Sequence, residues 1–414
     1  MKRIVFFLII SIVSMIGLSA CAAEAETAPV TVAVQPTSLP DVATPISESS
    51  CSAIVVAPTP TPGVDSYFPP ATADDFSYGS ADAPVTIIEY CDFQSPGCGA
   101  MALVFAEFLR SQENVRFVFR PVPLLDVMDK SDKATMAAIA AGEQGQFWNM
   151  YDLLYLRQQE WINMEPRAFD DWVVREAVIL GLDGEKLTAA MNAPQTEASM
   201  RSMYEAAKKL RIPAVPLVLI NNSPQSANIL NYRNLSETVG LIALGQKQFS
   251  ECPPFDIDPV KQYIATVKTE KGDIVIQLFP DKAPLAVNSF VFLARQGWFS
   301  GVTFHRVLPG FVAQAGDPSG TGRGNPGYFF NNEFSDLKFD KPGVVGMANS
   351  GLNMNGSQFF ITFGPASHLD GGYTIFGQVI SGLDVAEQLT PRDPDQAVIP
   401  APGDKIISVE IEEK

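Results

Sequence analysis

FHRVLPGFVAQAGDPSGTG, residues 304–322, is a short β-rich run carrying one arginine, Arg306, followed by a loop punctuated by Gly and Pro. Three more strings follow it in order: VVGMANSG (344–351), NGSQFFIT (355–362) and HLDGGYTIFGQV (368–379). Short strands broken by glycine-rich loops argue a β barrel or sandwich with few helices. Upstream, YIATVKT (263–269) and DIVIQLF (273–279) flank the turn Glu270-Lys271-Gly272 and predict a hairpin. The next run, APLAVNSFVFLARQG, predicts a helix with Pro284 in its first turn and an apolar face of Val287, Phe290, Val291 and Ala294. ECPPFDIDP (251–259) is proline-rich and aperiodic, a natural boundary before this unit.

The four strings together resemble the cyclophilin signature over residues 261–414. The resemblance implies a mainly-β, closed eight-stranded barrel capped by two helices, and peptidyl-prolyl cis-trans isomerase activity on X-Pro bonds. The chemistry follows from the residue types. Amide resonance holds the bond planar behind a barrier of about 18–20 kcal/mol. In the twisted state the proline nitrogen gains a lone pair, so a fixed cationic donor binds that state better than either planar one. Arg306 is the candidate donor, with Gln314 beside it as a polar partner, and neither metal nor cofactor is required. The resemblance makes Phe311, Val312, Phe360 and Leu369 the wall of the proline recess. Gln358 becomes a further polar partner, and Ala348 with Asn349 the segment that holds the peptide backbone. His368 stands where many members carry Trp, and Tyr373 where many carry His.

Upstream, VTIIEY (85–90) predicts a buried strand, GAMALVFAEFL (99–109) a helix and VRFVFRPV (115–122) a second strand, parallel to the first. Helical stretches fill residues 130–210, and PLVLINN (216–222) returns to strand character. This order resembles the DsbA-like members of the thioredoxin superfamily over residues 75–250, an α/β thioredoxin-like fold with a helical insertion. Val215-Pro216 matches that family's cis-proline. Ser95-Pro96-Gly97-Cys98 occupies the place of its Cys-x-x-C. Thiol exchange needs a thiolate at the helix N-terminus, and Ser95 cannot supply one. The expectation is a degenerate redox site in which Cys98 stands without its usual partner, within a structural or peptide-binding module. A rewired Cys91–Cys98 pair is the alternative.

The N-terminus, Lys2-Arg3 followed by an apolar run from Ile4 to Leu18, reads as a sorting signal (1–20). Leu18-Ser19-Ala20-Cys21 resembles a bacterial lipobox, which implies a lipid on Cys21 and an extracytoplasmic, membrane-anchored chain. Residues 21–74 read as a Pro/Thr-rich tether and 251–260 as a linker. Setting Cys21 aside leaves four of the five cysteines, an even number in a compartment that permits disulfides. A Cys51–Cys252 bond would bracket the upstream domain.

At 414 residues the chain has room for two folded units, and 46% hydrophobic with 18% charged residues is the make-up of folded protein. A net charge of -17, concentrated upstream of residue 261, argues against nucleic acid as a partner. Both histidines lie at or after His305, which removes a Ser-His-Asp hydrolase or histidine-rich zinc site from the upstream domain. The sequence therefore predicts a folding catalyst whose partners are unfolded or extended proline-containing polypeptides. A non-catalytic peptide-binding protein and a thiol oxidoreductase are the rivals.

Overall fold

The computed structural model describes residues 50–54, 67–112, 115–226, 231–396 and 401–414. The expected sorting signal, Cys21 and most of the expected tether lie outside the described residues. Part of that tether is nevertheless structured. Strand β1 (Cys51–Ala53) pairs antiparallel with Tyr328–Phe330, far along the chain. Two flanking backbone bonds, Ile54 N to Gly327 O and Asn331 N to Ser50 O, extend the match. Cys51 is disulfide-bonded to Cys252. Residues from Phe68 to Asp75 also pack on the upstream domain, where Arg120 donates to the carbonyls of Pro69 and Pro70 and to both oxygens of the Asp75 carboxylate. The tether reading of 21–74 is thereby corrected. Composition alone misses a strand that exists because a sheet edge offers unpaired backbone groups.

The upstream domain is a five-stranded sheet with strand order β2-β4-β3-β5-β6. It runs β2 (Phe76–Tyr78), β3 (Val85–Cys91), α1 (Pro96–Arg110) and β4 (Val115–Pro121). An all-helical insertion follows: α2 (Ser131–Glu143), α3 (Phe147–Leu156), α4 (Gln158–Trp161), α5 (Pro166–Ile179), α6 (Gly184–Met191) and α7 (Pro194–Lys209). The domain closes with β5 (Leu217–Ile220), β6 (Ser223–Pro224) and α8 (Tyr232–Gly245). β3 and β4 are parallel, and β5 returns antiparallel to β3. β3 reads as a nearly unbroken apolar run because both its faces are covered. Ile87 and Cys91 face the large aromatic core with Phe93, Phe117 and Tyr151, whereas Ile88 and Tyr90 face a smaller cluster with Val118 and Leu219.

Glu89, in the middle of that strand, is fully buried, and burial pushes its carboxyl up to about 8. Tyr151 donates to Oε2 at 3.1 Å, while Oε1 has no partner among the described residues. A raised pKa means that the folded state holds the proton. Its contribution is present below the unfolded value near 4.5 and is lost as pH rises toward 8. At pH 7 the lost stability is about 3 kcal/mol. Glu89→Gln keeps an acceptor for Tyr151 and cannot ionise. It is expected to raise the domain's melting temperature at pH 7–8 and to change little near pH 4. Equal shifts at both pH values would contradict the assignment.

The C-terminal domain comprises β7 (Tyr263–Thr269), β8 (Gly272–Leu278), α9 (Pro284–Arg295), β9 (Arg306–Leu308), β10 (Val312–Ala315), β11 (Tyr328–Phe330), β12 (Val344–Asn349), β13 (Asn355–Thr362), β14 (Ile375–Ser381), α10 (Leu383–Glu387) and β15 (Ile406–Glu413). Its strands follow the path β1-β11-β13-β12-β14-β8-β7-β15, with β10 on β13 and β9 on β10. The sheet curls into a half-barrel. β1 is an added edge strand, and the ends of the eight-strand run from β9 to β15 are brought together by the Thr303–Lys405 bridge and by backbone bonds between residues 301–304 and 404–406. β7 alternates buried and half-buried residues, turning Tyr263, Ala265 and Val267 to a core that also holds Val287, Phe290 and Val291 of α9. Helix α8 is shared: Leu235 and Val239 join the upstream core, Leu244 the C-terminal one.

Candidate functional site

Arg306, Gln314 and Phe360 lie directly opposite one another on three neighbouring strands. Arg306 pairs with Gln314 across β9 and β10, and Gln314 with Phe360 across β10 and β13. Residues in register share a face, as do residues two apart along a strand. Val312 and Gln358 therefore lie on that face as well. Pairing alone thus brings one cation, two amides and an apolar wall to one surface.

The apolar part is a separate small cluster of Val312, Phe339, Val344, Phe360, Ala366 and Ile375, bordered by half-buried Phe311, Ala348, Leu369 and Tyr373. Every apolar residue expected in the recess belongs to it. The Phe360 ring stands edge-on to Tyr373 at 5.5 Å and stacks on Phe339 at 5.5 Å. Phe339, Val344 and Ile375 were missed by sequence reasoning. Gly346 was missed too: a Cβ there would lie 2.8 Å from Phe360 Cζ, so only glycine lets the ring cross β12. Its signal is a lone glycine inside a strand-like run, VVGMAN. His368, exposed on a 3-10 turn (Ser367–Leu369), stacks on Phe311 at 5.5 Å and forms the rim. Asn349 donates to Gly372 O at 3.2 Å, tying the backbone-holding segment to the turn before Tyr373.

The polar groups divide their work. Gln314 Nε2 donates to Gln358 Oε1 at 2.9 Å, and Gln358 Nε2 donates to the carbonyls of Gly322 and Gly324, both at 2.9 Å. The expectation that Gln358 partners Arg306 or a substrate carbonyl is corrected, since its amide is committed to the loop. The half-buried Arg306 guanidinium makes no hydrogen bond or ion pair among the described residues. Next to it, His305 is buried with neither ring nitrogen partnered among the described residues, and burial pulls its pKa down to about 4. The imidazole is therefore neutral at pH 7 and adds no second cation beside Arg306.

The upstream site departs from expectation at Cys98. It is not a lone thiol: it is bonded to Cys91, and both are fully buried. Asp92 N donates to Cys98 Sγ at 3.3 Å. Ser95 stands at the N-cap position of α1 without a side-chain capping bond, and the cis Val215-Pro216 bond packs nearby, with Pro216 Cδ 3.3 Å from where a Cβ on Gly97 would lie. The disulfide lies inside the core between β3 and the start of α1, and Ser95, itself buried, occupies the place of the Cys-x-x-C motif's first cysteine.

Two family profiles match the chain: one described as cyclophilin type peptidyl-prolyl cis-trans isomerase over residues 264–411, and one described as thioredoxin over residues 71–239. Among similar curated proteins, the peptidyl-prolyl cis-trans isomerase ppi1 of Schizosaccharomyces pombe is 47% identical over 127 residues, which is 30% of this chain and 82% of that protein. Peptidyl-prolyl cis-trans isomerase A of Mycobacterium tuberculosis is 46% identical over 148 residues, covering 32% and 81% respectively. A solved cyclophilin of Cryptosporidium parvum, crystallised in the presence of the dipeptide Ala-Pro, aligns at 33% identity and a TM-score of 0.34, over 36% of this chain and 98% of its own.

Proposed function

Because the chain belongs to the cyclophilin-type peptidyl-prolyl cis-trans isomerases and carries a thioredoxin-like domain ahead of that unit, we propose that it isomerises X-Pro bonds in exported polypeptides outside the cytoplasm, with Arg306 as the catalytic cation. The observation that carries this reading is the Arg306 guanidinium, without a hydrogen bond or ion pair among the described residues, on the same sheet face as an apolar recess. The recess of Phe311, Phe360, Leu369 and Tyr373 takes the proline ring and excludes water from one side. Arg306 donates to the nitrogen as it loses resonance, and Gln314 holds the adjoining carbonyl. Every step is a rotation, so no bond is broken and no proton is consumed.

Extracytoplasmic action is supported by the lipobox-like Leu18-Ser19-Ala20-Cys21 and by two disulfides, which persist in oxidising compartments. Among the described residues no helix is long and apolar enough to cross a membrane. The anchor proposed is a lipid on Cys21 of the lipobox-like run. The thioredoxin-like domain acts as a structural or peptide-holding module, since its cysteines are buried and bonded to each other.

The test has two arms. A proline-isomerisation assay on the chain from residue 50 onward is expected to accelerate exchange of X-Pro peptides by about 10³-fold at turnover near 10 per second. Failure across several peptides would make the recess a binding site only. In a bacterial host, the full chain is expected to take up labelled fatty acid and partition with membranes, and Cys21→Ala is expected to do neither. Labelling that survives Cys21→Ala overturns the anchor.

A further inference from the structure

The two amides of the site hang from a loop, and the upstream domain grips that loop. Residues 317–324 wrap around the fully buried Asp317 carboxylate, which accepts from Ser319 N and Oγ, Thr321 Oγ1, Gly322 N and Gly324 N. The carbonyls of Gly322 and Gly324 then fix Gln358, and Gln358 fixes Gln314. The outer side of the same loop faces α8. Glu237, Gly240 and Leu244 recur at helical spacing and so share one face of that helix. Glu237 pairs with Arg323 at 3.1 Å. A Cβ on Gly240 would lie 2.9 Å from Ser319 O, and one on Gly324 would lie 2.6 Å from Leu244 Cδ2. Just past the helix, Gln248 Nε2 donates to Asn325 and Phe249 N to Pro326 O.

From this chain of contacts we infer that Gly240, with Glu237 and Leu244, positions the Gln314 amide through Gln358, so that a helix of the thioredoxin-like domain sets the turnover of the isomerase. The inference rests on the assignment of catalysis to the Arg306 and Gln314 pair. Gly240 touches neither substrate nor reacting atoms; it acts through the backbone at Ser319. A side chain there must push the loop, because the atom it meets is a carbonyl and not the end of a flexible side chain. The push passes to the two glycine carbonyls and moves the Gln358 amide.

The test uses the chain from residue 50 onward and measures kcat and KM separately, together with melting temperature and the side-chain amide resonances of Gln314 and Gln358. Glycine to alanine raises helix propensity. A purely structural role therefore predicts that Gly240→Ala leaves kcat alone. Positioning predicts that kcat falls in Gly240→Ala and falls further, by about tenfold, in Gly240→Val, with KM little changed and both amide resonances shifted. Should Gly240→Val fail to fold, the double variant Glu237→Ala/Leu244→Ala loosens the same contact from the other direction and is expected to lower kcat as well. Unchanged kcat in Gly240→Ala together with unchanged kcat in whichever second variant folds would overturn the inference. Arg306→Ala is run alongside: if it retains wild-type activity, the failure lies with the catalytic assignment instead.

Discussion

Arg306→Ala is expected to lower kcat for X-Pro isomerisation by about 10²-fold to 10³-fold while leaving KM and the fold nearly unchanged. The whole acceleration the site must supply is on the order of 10³, roughly 4 kcal/mol. A fixed charged donor that meets the nitrogen only in the twisted state is of that size. The apolar recess contributes otherwise: it binds planar and twisted proline alike, so trimming Phe360 should weaken KM more than kcat. Arg306→Lys keeps the charge and loses the planar fork, and should fall between wild type and alanine. Retention of more than about a third of wild-type kcat by a folded Arg306→Ala protein would remove the arginine from the mechanism, since such a loss is under 1 kcal/mol.

Replacing Cys51 and Cys252 together with serine is expected to be the most destabilising change outside the site. The bond spans 201 residues, and the chain-entropy relation gives about 5 kcal/mol for a loop of that length. The Cys91–Cys98 bond spans 7 residues, for which the same relation gives about 2 kcal/mol. The Cys51→Ser/Cys252→Ser protein should therefore melt on the order of 10 °C lower, with β1 released first because only the short ladder over residues 50–54 then holds it. Thermal unfolding followed by circular dichroism, with hydrogen exchange at Ser52 and Ile54, the hydrogen-bonded positions of the ladder, measures both. A melting point within 2 °C of wild type at unchanged exchange would show that the ladder alone suffices, against the expectation of about 5 kcal/mol.

Much of the architecture was legible because it is written locally. VTIIEY is a strand in any compact context, and the hairpin around Glu270-Lys271-Gly272 carries its own turn chemistry. The recess was legible by another route, since the ordered strings around Arg306, Phe360 and Leu369 carry a resemblance that no single residue could. What escaped reading is non-local. Cys-Ser-Ala has no alternation and little apolar area, and it is a strand only because β11 lies open beside it. Phe339 joins the recess through a chain return that lies outside the four strings. The Cys91–Cys98 bond was legible only as the alternative reading, because Ser95 occupies the familiar slot and Cys91 sits on the strand before the loop. The commitment of Gln358 to Gly322 and Gly324 depends on a loop shape set by one buried aspartate.

The Cys51–Cys252 bond also decides how this molecule bears tension. A pull applied ahead of residue 51, opposed by a client held at the Arg306 recess, enters at Cys51 and crosses the sulfur bridge directly to Cys252 and the half-barrel. The 200 residues between the two cysteines, which include the whole thioredoxin-like domain, lie in a slack parallel branch that carries none of the load. Stretched between two handles, the protein should yield through the half-barrel while the thioredoxin-like domain stays folded, and cutting the bridge should shift the force onto that domain.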